Sequence, residues 1–162
     1  AQVADISTTD MFTDRDFNTE YDANSPKITL TGSSAEVSGD GVTVNGSTIT
    51  ITAEGTYIVS GTLDDGQIII DTDDSAKVHL VFRGANINSS TSAALYVKNC
   101  DTDSANTISN GGTFTAIDDN NIDGAIFSKD DLTINGAGSL TVTSPAGNGI
   151  VCKDDLVLWV NG

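Results

Sequence analysis

Two stretches decide the fold: Ala125-Ile126-Phe127-Ser128-Lys129-Asp130-Asp131-Leu132 and Gly149-Ile150-Val151-Cys152-Lys153-Asp154-Asp155-Leu156. Each alternates apolar residues and then ends on the same Lys-Asp-Asp-Leu. A third segment, Ala94-Leu95-Tyr96-Val97-Lys98, repeats the alternation and the lysine. Lys98 to Lys129 is 31 residues, and Lys129 to Lys153 is 24. A period near this length, made of short strands and turns, marks a repeat architecture in which each unit stacks on its neighbour. A single coil cannot bury its own apolar face, so stability has to come from neighbours roughly 4.8 Å away along the axis. A loop inserted in one coil accounts for the longer step.

Short strands of period two extend the pattern in both directions. Ile28 and Leu30, Val42 and Val44, Ile49 and Ile51, Ile68 and Ile70, Val78, Leu80 and Phe82, and Leu140 and Val142 form the inward sets. Asn45-Gly46, Asp65-Gly66, Asn110-Gly111 and Asn135-Gly136 supply the turns, since Gly and Asn tolerate positive φ. Antiparallel hairpins use the same turn signals. The pentapeptide recurring at coil spacing favours parallel stacking, because it puts like residues on like positions. The expectation is an all-β, right-handed parallel β-helix, or solenoid, over residues 28–162. Residues 1–27, charged and aperiodic around Met11–Phe17, read as an N-terminal arm or cap. Leu156–Val160 reads as a strand of an open last coil, an edge that invites head-to-tail assembly or a covering partner.

Composition narrows the partners. The 162 residues suit one domain, and they carry 23 acidic and 7 basic side chains for a net charge of −16. Such a chain is repelled by nucleic acid and anionic lipid, and no stretch is apolar enough to span a bilayer. Regular Ile/Val/Leu alternation argues against disorder as the meaning of the charge. Carboxylates partly neutralised by a metal fit better. Ala1-Gln2-Val3 fits a mature terminus left after signal cleavage, hence a secreted or cell-surface protein. Cys100 and Cys152 are too few to define a disulfide framework.

The segments MFTDRDF (11–17), GVTVNGSTITITAEGTYIVSGTLDDGQIIID (41–71), DDNNIDGAIFSKDDLTINGAGSLTV (118–142) and GIVCKDDL (149–156) resemble a family of secreted clostridial carbohydrate-binding β-helix proteins, which bind cellulose or acidic sugars. The resemblance covers most of the chain. It implies a pectate-lyase-like parallel β-helix with bound calcium and no established catalysis. Two departures from the pattern matter. Residues 100–113 lack the apolar strand expected after Tyr96–Lys98, and such proteins usually continue for more coils past the last Lys-Asp-Asp-Leu.

Calcium has two candidate sites. Asp119-Asn120-Asn121-Ile122-Asp123-Gly124 fits the front half of a calcium loop, with Asp118 spare and Asp130 at the twelfth position to close it. Alternate Asp and Asn side chains on a tight turn converge several oxygens, as calcium requires. A solvated Asn/Asp-rich turn is the plainer alternative. The second site is the repeated turn itself. In-register stacking puts Asp130 over Asp154 and Asp131 over Asp155, and like charges this close repel unless a cation sits between them. Lys129 and Lys153 in an ion-pair ladder would also relieve the repulsion.

Strand parity puts Tyr96, Lys98, Phe127, Lys129, Val151 and Lys153 on one outward face. Rings that stack on apolar sugar faces, beside ammonium groups that pair with uronate carboxylates, are what an acidic glycan chain needs. The alternative is that the rings stack on each other and the lysines neutralise neighbouring Asp. Trp159 and His79 point outward by the same parity, the first reading as part of an interface and the second as surface. One His, and no base near a nucleophile, gives no support for a Ser/His or Cys/His enzyme.

The function expected is therefore a calcium-binding extracellular module, not an enzyme, that holds acidic polysaccharide of the polygalacturonate type or cellulose. Calcium bridging protein carboxylate to uronate answers the charge conflict between an acidic protein and an acidic glycan. The alternatives are a filament subunit stacked head to tail, and a calcium-dependent polysaccharide lyase. The lyase needs a cationic base beside the metal, and only Arg15 and Arg83 exist.

Overall fold

In the computed structural model, the described residues are 21–160 apart from 74–75, 98–99, 104–105, 111–113, 116 and 137–138. Residues 1–20, most of the expected arm, and Lys98 therefore lie outside them. Fifteen strands follow in chain order: β1 (Lys27–Gly32), β2 (Ala35–Ser38), β3 (Val42–Asn45), β4 (Thr48–Ile51), β5 (Gly55–Leu63), β6 (Gln67–Ile70), β7 (Val78–Ser89), β8 (Leu95–Val97), β9 (Cys100–Asp103), β10 (Asn106–Asn110), β11 (Gly124–Ser128), β12 (Leu132–Gly136), β13 (Leu140–Thr143), β14 (Asn148–Cys152) and β15 (Leu156–Val160). Among the described residues no helix is long and apolar enough to cross a membrane.

The strands form two mixed sheets. One runs β14-β11-β8-β6-β4-β3, the other β15-β12-β9-β7-β5-β1-β2, with β10 joined to β7 and β13 to β10. Every ladder is parallel except two. The β1/β2 and β3/β4 pairs are antiparallel, so the uniformly parallel stack expected from the repeat does not extend to residues 27–51. Turn chemistry explains the β3/β4 exception. Two residues, Gly46-Ser47, connect the opposed Asn45↔Thr48 pair, and Gly46 sits at φ +59°. A two-residue link that opens on a glycine with positive φ closes a hairpin whose twist matches its strands.

The long strands β5 and β7 bend. Their mutual register shifts between Val59 and Gly61. Gly61 takes φ +88°, and a Cβ there would collide with the Leu30 carbonyl. Only glycine both accepts that conformation and lets the neighbouring backbone approach. Beyond the bend, residues 86–89 of β7 pair with β10, while residues 79–81 pair with β9. Three runs of stacked strands result.

One core fills the space between them. It contains Ile28, Leu30, Ile49, Ile51, Ile68, Ile70, Val78, Leu80, Phe82, Leu95 and Ile126, with Val42, Val44, Leu140, Val142 and Ile150 partly buried against it. These are the inward sets read from alternation. Leu95, Ile126 and Ile150 share one register column, as do Tyr96, Phe127 and Val151. The segment expected to lack a strand, residues 100–113, contains β9 and β10 instead. Backbone pairing to β7 and β12 joins this region to the sheet, and Ile108 is buried. Few inward apolar residues means a weak sequence signal, because periodicity is what marks a strand.

Candidate functional site

The two Lys-Asp-Asp turns stack. Ser128 pairs with Cys152 at the end of β11/β14, and Leu132 with Leu156 at the start of β12/β15, so the three residues between are held in register. The buried Ser128 hydroxyl donates to the Asp130 carbonyl at 2.7 Å and closes its turn. The Lys153 amide donates to the Ser128 carbonyl at 3.0 Å, and the Leu132 amide to the Asp155 carbonyl at 2.9 Å. Carboxylate oxygens of Asp130, Asp131 and Asp154 then lie within 4.8 Å of one another. Among the described residues this is the one such gathering of three metal-ligating side chains. Asp155, the fourth expected member, contributes its amide instead, donating to Asp131 Oδ1 at 3.3 Å.

Cys152 adjoins the cluster without a disulfide. Its thiol donates to the carbonyls of Asp130 at 3.1 Å and Asp155 at 3.3 Å. Burial first, then the charges of Asp131 and Asp154, push this thiol above its ordinary pKa, against hydrogen bonds from the Asp154 and Leu132 backbone. It therefore stays protonated and structural.

The calcium loop expected over 119–130 does not close. Asp130 joins Asp131 and Asp154, not Asp119 and Asp123. Strand β11 is the reason: five extended residues at about 3.3 Å each separate Asp123 from the Lys-Asp-Asp turn, whereas a twelve-residue calcium loop must fold back on itself. The front half has its own geometry. Asp119 and Asn121 are exposed. The Asp123 carbonyl accepts the Asn148 amide at 2.7 Å, and Asp123 Oδ2 lies 3.4 Å from Asn148 Nδ2. Asp123 Oδ1 is buried and has no hydrogen-bond partner.

Asp118 is occupied differently. It accepts the Tyr96 hydroxyl at 2.8 Å on Oδ2 and the Asn120 amide at 2.9 Å on Oδ1. Asn120 Nδ2 also reaches the Tyr96 oxygen at 3.3 Å. Desolvation opposes ionisation of Asp118, but the Asn120 and Tyr96 hydrogen bonds and the Lys129 charge outweigh it and hold the carboxyl below its usual range. Burial, followed by Asp118 and Asp71, drives the Tyr96 hydroxyl far above its ordinary value.

The aromatic strip expected on the outward face is not open to a ligand. Tyr96 and Phe127 are 1% and 0% exposed. They do point away from the main core, but into a second cluster with Ala93 and Ile122, against which Ile69, Phe114 and Val151 pack. The rings meet edge to face at 5.6 Å, and Lys153 Nζ lies 5.5 Å from the Phe127 centroid. Parity gave the direction of these side chains correctly and missed their cover. The Asp118-x-Asn120 pair, a local side-chain-to-backbone turn, was the available signal that this segment folds back. Lys129 and Lys153 remain exposed beside the aspartate cluster.

A family model described as carbohydrate-binding domain-containing protein matches residues 45–161. A carbohydrate-binding domain-containing protein of Acetivibrio thermocellus is 35% identical over 126 residues, which is 72% of this chain and 44% of that relative. A solved polysaccharide lyase-like protein from C. thermocellum, in its gadolinium derivative, superposes with a TM-score of 0.77 at 33% identity. That match covers 82% of this chain and 58% of the other. The chain thus spans less than half of the curated relative and a little over half of the solved one. With a match this long, the chain belongs to the carbohydrate-binding domain-containing protein family.

Proposed function

We propose that this chain is a calcium-dependent, extracellular binding module for acidic polysaccharide, built as coils of a right-handed parallel β-helix. The observation that carries the reading is the set of three carboxylates within 4.8 Å at stacked turns, flanked by the exposed Lys129 and Lys153. Three carboxylates gathered this closely repel one another, and a bound cation would relieve that. Calcium takes six to eight oxygens, so three protein carboxylates leave positions for water and for a uronate carboxylate. Asp130, Asp131 and Asp154 would hold the ion, and the lysines would pair with further carboxylates of the glycan. Family membership supports the carbohydrate. The orphaned Oδ1 of Asp123 favours a second cation in the 119–123 turn.

Binding without cleavage is part of the same reading. Arg83 is exposed at the bend of β7 beside Gly84, at the opposite end of the β7/β9/β12 run from the aspartate turns. Binding to immobilised polygalacturonate should vanish in chelator and in Asp130→Asn/Asp154→Asn. The polymer should show no growth of unsaturated-uronate absorbance. Binding that persists in chelator would remove calcium from the account, and steady calcium-dependent absorbance growth would make the protein a lyase.

A further inference from the structure

An asparagine followed by glycine can react with itself. A bond from the glycine nitrogen to the asparagine Cγ closes a five-membered imide, and glycine has no Cβ to shield that nitrogen. Five such pairs occur in the chain: Asn45-Gly46, Asn110-Gly111, Asn135-Gly136, Asn148-Gly149 and Asn161-Gly162. Asn45 and Asn148 are the two whose side chains fall among the described residues, and they are held differently.

Asn148 opens β14. Its backbone amide donates to the Asp123 carbonyl at 2.7 Å, and its Nδ2 lies 3.4 Å from Asp123 Oδ2. Gly149 follows inside the same strand, between residues paired to Gly124 and Ile126 of β11. Backbone and side chain are both tied there. Asn45, in contrast, is the exposed last residue of β3, at the tip of the β3/β4 hairpin. Among the described residues its side-chain amide has no hydrogen-bond partner, and the Gly46 amide donates to no carbonyl. Gly46 sits at φ +59°, and a Cβ built on it would meet no atom within 4 Å. Nothing crowds the approach of the Gly46 nitrogen to Asn45 Cγ. The Asn45↔Thr48 pair is the terminal one of its ladder, and terminal pairs open at little cost.

We propose that Asn45-Gly46 is a self-modifying site, where deamidation through the imide yields isoaspartate and loosens the hairpin that ends one sheet. The Gly46 nitrogen gives its proton to solvent base and bonds to Asn45 Cγ, and the side-chain nitrogen leaves as ammonia. Water then opens the ring at one of its two carbonyls. Cleavage at Cγ gives aspartate in the ordinary linkage. Cleavage at the main-chain carbonyl gives isoaspartate, whose main chain runs through Cβ and Cγ while the former main-chain carbonyl becomes the free carboxylate. The link between β3 and β4 is two residues long, so one added backbone atom undoes the Asn45↔Thr48 register. It also displaces Ser47, whose carbonyl accepts the Gln67 amide at 2.9 Å and lies close against Gly66. Strand β3 ends its sheet beside β4, with Val42 and Val44 partly buried against the core. Loosening it bares the edge of β4, whose unpaired backbone groups invite another chain.

The site owes nothing to calcium or glycan and is tested without either. Wild-type protein is aged at mildly alkaline pH and mapped by peptide mass spectrometry, with fragmentation that separates aspartate from isoaspartate. The Asn45 peptide should show the mass shift of an amide turned to acid before the Asn148 peptide does. The shift should come faster as pH rises, with isoaspartate among its products. Asn45→Gln, whose ring would have six members, should lose the shift. Amide hydrogen exchange over residues 42–51 should quicken in the isoaspartate fraction. It should stay at the wild-type rate in Asn45→Asp, which carries the charge without the added backbone atom. An Asn45 peptide that stays unchanged while Asn148 converts would overturn the site. Exchange that is unchanged in the isoaspartate fraction, or equally quickened in Asn45→Asp, would overturn the loosening.

Discussion

Two groups of aspartates lie on either side of β11 and have opposite fates. Before the strand, Asp118 is consumed by the protein, taking the Tyr96 hydroxyl and the Asn120 amide as it fastens the 114–122 segment over Tyr96 and Phe127. After the strand, Asp130, Asp131 and Asp154 face one another with lysines beside them. The same side chain thus closes a structure in one place and leaves ligand oxygens in the other. The difference comes from the neighbours. A buried phenol satisfies Asp118, whereas stacking of identical turns puts like against like. Asp130 and Asp131 also accept turn amides, at 3.0 and 3.3 Å, yet lie with Asp154 within 4.8 Å, the arrangement that the proposed cation would occupy.

The largest effect should fall on the covered side. Phe127→Ala empties a fully buried site and should cost about 3–5 kcal/mol of stability, read as a fall in denaturation midpoint. An unaffected midpoint would mean that the ring is free for a ligand after all.

Calcium should act mainly through the other side. Saturating calcium should raise the melting temperature, by about 2.7 kcal/mol in stability at a hundredfold excess over its dissociation constant. Asp130→Asn/Asp154→Asn should lose most of that response and Asp118→Asn little of it. An equal loss in both variants would erase the distinction between the two groups.

A smaller effect on the covered side depends on pH. Tyr96 has its pKa raised by folding, so its contribution is complete below the ordinary value of 10 and is lost as pH rises towards the folded value. Asp118 is depressed, so its contribution is present above the unfolded carboxylate range and lost as pH falls through the folded value. Tyr96→Phe should cost about 1 kcal/mol near neutral pH and flatten the alkaline limb of the stability profile. An alkaline limb unchanged by this substitution would assign the loss elsewhere, with Tyr57, also raised by burial, the next residue to test.

Much of this was legible in the sequence. The repeated Lys-Asp-Asp-Leu fixed the register of β11/β12 against β14/β15, and alternation named the core, because both depend on residues that repeat. Local chemistry that does not repeat was harder to read. Asn45-Gly46 was recognised as a turn, but nothing in the repeat said it would close an antiparallel hairpin. Strands β9 and β10 were missed because their sequence carries few apolar residues at period two. At the site, the stacked aspartates followed from register, whereas Asp119 and Asp130 were joined by a motif that a straight strand cannot satisfy. The cover over Tyr96 and Phe127 depends on the 114–122 segment folding back, a long-range event that two-residue periodicity does not encode.

The central claim is that carboxylates gathered by turn stacking bind an acidic glycan through calcium. Calorimetric titration of oligogalacturonate into the protein, with calcium and then with chelator, tests it most directly. The account predicts heat of binding with calcium, none with chelator, and none in Asp130→Asn/Asp154→Asn at unchanged fold. Equal binding with and without calcium, or full binding by that variant, would contradict it.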